Sequence, residues 1–281
     1  MQEKRYAISV IIPSYKPGDY LFQCIDSLVN QDFDHEQFEV IIILNGCMEP
    51  YYSKIENYIQ ENGKGLFRLI QTNTPGVSNA RNMGLESASG EYVTFIDDDD
   101  FVSPSFLRLL YSVSSNQVVG ISNEKVFDER DQQIKEDNIS REYIKKSKKG
   151  VQPYSSIRRV FSGPWIKLIH RDIIASSRFD VTFSNGEDSL FMFEISKRIG
   201  NVCFTRPEAV YYRRIRPGSA MSKEKDVWFT IKTRLRLIKQ LFVVYFKDPR
   251  SYSFLFLSTR VLGCIHSILN SLKNRLRKIH V

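Results

Sequence analysis

The amino-acid sequence predicts an α/β fold, a doubly wound and mainly parallel sheet followed by a helical C-terminal extension. Short β-branched apolar runs recur through the first hundred residues, and segments with helical apolar spacing separate them. The strand-like runs are continuously apolar rather than alternating. A strand buried on both faces reads that way, and helices between successive strands imply parallel pairing. Such sheets bind their ligands beyond the carboxyl ends of the strands.

Residues 7–13 (AISVIIP) read as the first strand. Residues 20–31 place Leu21, Cys24, Ile25 and Leu28 on one helical face. Residues 38–44 (FEVIIIL) form a second strand, ended by Asn45-Gly46. Residues 51–61 read as a helix, 66–71 as a strand, 78–88 as a helix and 91–96 (EYVTFI) as the fourth strand. After Asp100 the rhythm breaks. Residues 104–115 read as a helix and 118–122 as a short strand. Residues 128–150 are polar and lysine-rich, which predicts an exposed loop or mobile flap. A loop over 180–188 leads into a helix over 189–198, and 202–212 reads as a strand or irregular extension. From Val227 the chain reads as helical, with a break near Asp248-Pro249. The expected domains are residues 1–222, with halves 1–100 and 101–222, and an amphipathic extension over 223–281.

The chain has 281 residues, enough to bury a substantial core. It is 42% hydrophobic and 26% charged, which excludes a disordered chain, a collagen and a disulfide miniprotein. The cysteines at 24, 47, 203 and 264 lack the spacing of a zinc or redox motif and read as free thiols. The N-terminus has no signal-peptide pattern, and no apolar run approaches the roughly 20 residues of a spanning helix. The expected compartment is the cytoplasm.

Asp97, Asp98, Asp99 and Asp100 follow directly on the fourth strand. Adjacent carboxylates repel one another, and a cation relieves that repulsion. Oxygen-only ligands suit Mg²⁺ or Mn²⁺, with phosphates completing the shell. In an extended segment residues two apart point the same way, so Asp97 and Asp99 are expected to share the ion. An acidic turn capping the next helix is the alternative. The position at the fourth strand end favours the metal. An EF-hand is excluded, because its alternating ligands, central Gly and terminal Glu are absent.

Four segments together resemble the inverting family 2 glycosyltransferases, which have the GT-A fold. They are VIIPSYKPGDYL (10–21), TPGVSNARNMGLESASGEYVTFIDDDDFVSP (74–104), NGEDSLF (185–191) and YYRRIRPGSAMS (211–222). Their order and spacing carry the resemblance more than any one of them. It implies that 1–100 is a nucleotide-binding half and 101–222 an acceptor-binding half. It also implies a sugar-nucleotide donor, UDP-linked, and a hydroxyl acceptor on a growing glycan or lipid-linked sugar. The setting it implies is bacterial surface polysaccharide assembly.

The resemblance assigns roles residue by residue. Asp188 matches the family's general base, and Glu187 orients the acceptor or Asp188. Helix capping is the other reading of this acidic pair. Asp99 holds the metal, with Asp97 on the ion or the ribose and Asp98 on the donor. Pro13 and Tyr15 lie just past the first strand, where Tyr15 stacks on the base or contacts the ribose, or is a partly buried loop aromatic, and Arg81 reaches the donor or buttresses the acids. Asn45 stands where the family often has an Asp that bonds uracil, and its amide oxygen still accepts. Arg214 and Arg216, with Arg213, Ser219 and Ser222, suit a loop closing on diphosphate. Arg216 replaces a His of some relatives and cannot ligate a metal. Trp165, in GPWIKLIHR, is the acceptor-side aromatic or a core residue, while His170 reads as non-catalytic.

The net charge of +8 implies an anionic partner without choosing one. Residues 223–281 alone carry a net +10, and the other 222 residues a net −2. The basic excess therefore belongs to the tail, where apolar residues recur at helical spacing. The terminal charges predict attraction to an anionic membrane surface, at the inner face of the cell membrane, rather than nucleic acid, while the apolar stripe reads first as a packed face. A helix packed on the catalytic domain or on a second subunit is the alternative, and no oligomeric state follows. Two other functions compete. Nucleotidyl transfer would want a better phosphate loop than PSYKPGDY, and a catalytically weak relative would only bind sugar nucleotide or scaffold a partner.

Overall fold

A computed structural model describes residues 5–157, 160–216 and 226–279. Strand β1 (Ile8–Ser14), helix α1 (Tyr20–Val29), β2 (Phe38–Asn45), α2 (Tyr51–Asn62), β3 (Phe67–Thr72), α3 (Val77–Ser87) and β4 (Tyr92–Phe95) alternate as expected. Every residue of β1, β2 and β4 is buried, which is why these runs are mostly apolar, and the buried Ser9 and Glu39 satisfy each other at 2.7 Å. β3 is half-buried at the sheet edge. β1 pairs in parallel with β2 on one side and β4 on the other, and β2 pairs in parallel with β3. The chain therefore reverses its winding direction between β1 and β4, and their carboxyl ends flank the crevice. Helix α3 lies close on β1 because Gly84 has no side chain. A Cβ there would sit 2.3 Å from Ile11 Cγ2.

The second half contains β5 (Phe101–Val102), α4 (Phe106–Val113), β6 (Val118–Ile121), β7 (Asn123–Asp128), β8 (Gln133–Lys135) and α5 (Asn138–Lys146). It continues with β9 (Lys167–His170), α6 (Arg171–Ile174), α7 (Glu187–Ile195), β10 (Asn201–Phe204) and β11 (Val210–Ile215). Strand β9 runs antiparallel between β4 and β6 and extends the main sheet to the order β10-β6-β9-β4-β1-β2-β3. A second sheet has the order β5-β11-β7-β8.

The flap expected over 128–150 is instead β8 and α5. Asp137 caps α5, while Ser140 and Tyr143 are buried, and the Tyr143 hydroxyl donates to the Thr205 carbonyl at 2.8 Å. The lysines face solvent and hide this packed side in the sequence. Residues 202–212 divide into two strands in different sheets.

Helices α8 (Val227–Lys247) and α9 (Phe254–Ile279) form the extension, broken where Asp248-Pro249 was expected to break it. Leu237, Leu241 and Val244 of α8 and Phe256, Leu257 and Cys264 of α9 join the core of the α/β domain. No uninterrupted apolar run marks a span. By length and composition, however, Phe254–Leu276 is apolar enough to cross a membrane. The four cysteines are free.

Candidate active site

The main chain turns sharply where β4 ends. The Asp100 N–H donates to the Asp97 carbonyl at 3.1 Å, closing a turn over the tetrad. The two-residue alternation expected for Asp97 and Asp99 therefore does not apply, and the four carboxylates fan out to different partners. Asp97 accepts from Arg81 Nη2 at 3.0 Å, Asp98 from Ser14 Oγ at 2.6 Å and Asp99 from Arg216 Nε at 2.9 Å. Asp100 is buried and accepts from Tyr211 Oη at 2.6 Å and the Arg214 N–H at 2.7 Å. Asp100 is thus a pin between the turn and β11, a role its sequence position does not signal. Desolvation, then repulsion from Asp99 and Asp97, pushes the Asp98 carboxyl up to about 7 despite the Ser14 hydrogen bond. Burial and Asp97 raise Asp99 in the same direction.

Arg81 leaves α3 buried beneath this turn. It sits over the Phe179 ring and holds Asp97 with one nitrogen while Nη1 donates to Asp188 Oδ1 at 2.7 Å. Asp188 reaches it from the first turn of α7. Gly186, at φ +100, starts that helix and aims both acids at the cavity. Burial pushes the Asp188 carboxyl up to about 7, Arg81 opposes the shift, and Glu187 and Asp97 add to it. Glu187 is itself buried, and its Oε2 has no hydrogen-bond partner among the described residues. The capping alternative is realised in position only: both acids stand in the first turn of α7, and Gly186 is its N-cap.

These groups line one cavity of about 940 Å³. Pro13, Tyr15, Asn45 and Gly76 form one end, and the tetrad and Arg81 form the floor. Trp165, Glu187, Asp188, Arg213 and Phe229 form the far wall. Tyr15 is 52% exposed, with Lys16 Nζ 5.4 Å from the centre of its ring. Asn45 is buried and ties three loops together. Its Nδ2 donates to the Ser14 carbonyl at 2.6 Å, and its Oδ1 accepts the Gly76 N–H at 2.9 Å.

The far wall is cross-braced. Trp165 Nε1 donates to Glu124 Oε2 at 2.8 Å, and Arg213 Nε donates to Glu124 Oε1 at 2.8 Å. Arg213 Nη2 also donates to Asp137 at 2.9 Å, which draws α5 into the site. Sequence reasoning missed Glu124 and Asp137, because a lone acid in a β-strand and one in a polar run carry no motif. Lys167 is fully buried, and its Nζ donates to the Val160 and Gly163 carbonyls at 2.7 and 2.8 Å, fixing the turn that presents Trp165. Burial pushes this ammonium down to about 7. His170 caps α6 and lies outside the cavity.

The arginine assignments need correction. Along β11 successive side chains point to opposite faces. Arg213 lines the cavity and Arg214 does not. The Arg214 guanidinium is buried between Phe101 and Phe127, where it bonds the Asp99 carbonyl and Gln23. In this structure it is a strut between the tetrad turn and α1, outside the cavity lining where the diphosphate was expected. Arg216 is paired with Asp99 and lies over the Tyr20 ring. Ser219 and Ser222 lie outside the described residues.

A switch-point crevice with a carboxylate turn on one side and an acid at a helix start on the other is the arrangement expected from the resemblance to GT-A glycosyltransferases, and the comparisons bear that class out. The sequence matches the profile of Glycosyl transferase family 2 over residues 9–199, from β1 through α7, and the chain belongs to that family. It is a glycosyltransferase, an enzyme. Glycosyltransferase GlyG of Streptococcus pneumoniae is 27% identical over 234 residues, which cover 78% of this chain and 74% of that protein. The GalNAc(5)-diNAcBac-PP-undecaprenol beta-1,3-glucosyltransferase of Campylobacter jejuni is 27% identical over 191 residues, covering 66% of this chain and 58% of that protein. S. aureus TarS 1-349, solved in complex with UDP-GlcNAc, matches with a TM-score of 0.66 at 20% identity, over 84% of this chain and 66% of that one. The mannosyltransferase PcManGT of Pyrobaculum calidifontis, solved with GDP-Man and Mn²⁺, matches at 0.64 and 15%, over 96% and 74%. At these identities the solved structures establish the fold.

Proposed function

We propose that the protein transfers a sugar from a UDP-linked donor to a hydroxyl of a growing glycan or lipid-linked acceptor, in surface polysaccharide assembly and with inversion at the anomeric carbon. The bridge through Arg81 carries this reading. One buried cation joins an acid of the tetrad to an acid pushed up to about 7, and both face one cavity. A volume of about 940 Å³ suits a nucleotide sugar, since ligand sites run from roughly 300 to 1,000 Å³.

The donor's base lies at the Tyr15 end. Tyr15 offers a ring to stack on it, and Pro13 shapes the floor. Asn45 Oδ1 keeps a second lone pair for a uracil N–H after accepting from Gly76. The tetrad fits a divalent cation. Arg81 and Arg216 each engage one oxygen of Asp97 and Asp99, leaving one oxygen of each for a hard ion. The described residues offer no group of three His, Cys, Asp or Glu ligands. Asp97 and Asp99 would therefore hold Mg²⁺ or Mn²⁺ together with the donor's phosphates, the usual arrangement for Mg²⁺. Such an ion neutralises charge building on the departing diphosphate.

Asp188 takes the acceptor's proton as the acceptor oxygen attacks the anomeric carbon and the nucleoside diphosphate leaves. A base poised near 7 is matched to that task. The unpartnered Oε2 of Glu187 accepts a second acceptor hydroxyl, and Trp165 offers its ring to a sugar face. Asp188→Asn tests the assignment. Donor binding should survive while transfer falls by a factor on the order of 10³, and near-normal transfer by a folded Asp188→Asn would refute it.

The extension docks on the inner, anionic surface of the cell membrane. The outward face of α8 carries Trp228, Leu235, Phe242 and Phe246, all exposed, with Lys232 and Lys239 among them. The outward face of α9 carries exposed Leu262, Ile265, Leu269, Leu272 and Leu276. An apolar face flanked by cations suits anionic headgroups better than a second subunit of the same charge.

A further inference from the structure

A second cavity, of about 790 Å³, lies between α8 and α9. Thr233, Ser267, Asn270, Ser271 and Asn274 supply hydroxyls and amides to it, and Arg234 and Arg275 add two cations. Asn185 and Phe229 line both this groove and the active-site cavity, so the two adjoin at the turn before Glu187 and Asp188. Gly186 permits the approach. A Cβ there would meet Leu237 of α8 at 3.0 Å and Arg234 Nη1 at 3.7 Å.

The groove is a built feature of α9. Along its first half, Phe256, Leu257, Arg260 and Cys264 face the domain and are buried. The same face continues as Ser267, Asn270, Ser271 and Asn274, at the spacing of a single helical stripe. The opposite face stays apolar from Leu262 to Leu276. Asn and Ser are weaker helix formers than Lys, Glu or Ala, which ordinarily occupy a merely solvated stripe. Short uncharged amides and hydroxyls are the groups that hydrogen-bond sugar hydroxyls in a concave site. Arg234 Nε donates to Ser267 Oγ at 3.3 Å and ties the two walls together.

We infer that this groove binds the acceptor chain, holding the hydroxyl-rich units behind the sugar that receives transfer. The inference rests on the glycosyl-transfer reading of the neighbouring cavity. A neutral glycan uses the amides and hydroxyls alone. A polyol-phosphate chain also uses Arg234 and Arg275. Both present the same hydroxyl-rich chemistry to the stripe.

Binding of full-length protein to chitotetraose, maltotetraose and a ribitol-phosphate tetramer, each beside its monomer, tests this. UDP titration and acceptor-independent hydrolysis of UDP-sugar run in parallel. At least one tetramer should bind tenfold or more tightly than its monomer. Ser271→Trp, which fills the groove, and Asn270→Ala with Asn274→Ala, which favours the helix, should each abolish that gain. UDP affinity should stay within twofold. Loss of the gain in Arg234→Gln with Arg275→Gln identifies a polyol phosphate, and its retention identifies a neutral glycan. A wild type that binds no tetramer better than its monomer overturns the inference, as do groove variants that keep the gain. Failure of the wild type to bind UDP would instead strike at the reading of the active site.

Discussion

Arg81 and Asp188 stand 107 residues apart in sequence and meet at 2.7 Å in the lining of one cavity. The same guanidinium holds Asp97, so a single side chain fixes the spacing of the two chemical centres.

Arg81→Leu should therefore damage folding and chemistry together. Removing one partner of a fully buried pair costs about 3–5 kcal/mol. Asp97 is 42% exposed and Asp188 23%, so about 2 kcal/mol is expected here. Urea denaturation measures that loss. Arg81→Lys should recover much of the stability while transfer remains depressed, because an ammonium cannot hold both acids in a planar fork.

The pH profile of transfer follows from Asp188. Its carboxyl is pushed up to about 7, and the reaction needs it deprotonated. The rate constant kcat/KM should rise about tenfold per pH unit below that value and level off above it. A profile flat between pH 5 and 8 would remove Asp188 from the role of base.

Asp98 makes a prediction about stability. Its folded pKa, about 7, lies above the ordinary value of 3.8. The native state thus binds the proton more tightly than the unfolded chain, and stability from this group falls as pH rises from about 4 to 7. In metal-free buffer, Asp98→Asn should gain on the wild type as the pH is raised from 5 to 8, by on the order of 2 kcal/mol. Asn can still accept from Ser14. Paired thermal melts at the two pH values check the sign.

Glu124→Ala would leave the Trp165 indole and Arg213 without their shared acceptor. A rise of about tenfold in acceptor KM is expected, with UDP affinity unchanged. A structural cost of about 1–3 kcal/mol should accompany it. Equal losses on the donor and acceptor sides would show that the brace serves the whole cavity instead.

Vesicle sedimentation tests the outward face of the extension. The protein should pellet with phosphatidylglycerol vesicles, not with phosphatidylcholine alone, and release as salt rises. Lys232→Glu with Lys239→Glu should cut retention about tenfold. Concentration-dependent dimerisation without vesicle binding would assign that face to a second copy.

The β-α alternation was legible because β1, β2 and β4 are buried on both faces and are therefore mostly apolar, with helical spacing between them. The tetrad, Arg81, Glu187 and Asp188 were legible as motifs, and the cavity gathers all of them. What escaped is nonlocal. Nothing in residues 128–150 announces that Asp137 reaches Arg213, because surface lysines outnumber the few buried contacts. Arg213 and Arg214 are indistinguishable in sequence, and the register of β11 alone separates a cavity residue from a strut. The turn over Asp97–Asp100 depends on Tyr211 and Arg214, more than 100 residues away.

Arg260 of α9 donates to the Phe161 carbonyl and to Ser162 at 3.0 Å, on the segment that leads to Trp165. Phe229 of α8 lines the active-site cavity itself. The change of charge at residue 223 is therefore not a seam where the molecule can be cut. A truncated 1–222 chain would lose part of the cavity wall along with its basic tail, so a failure of that fragment to reach vesicles would confuse two defects. Point substitutions on the outward face are the cleaner instrument, because they alter what the tail meets while leaving in place what it supports.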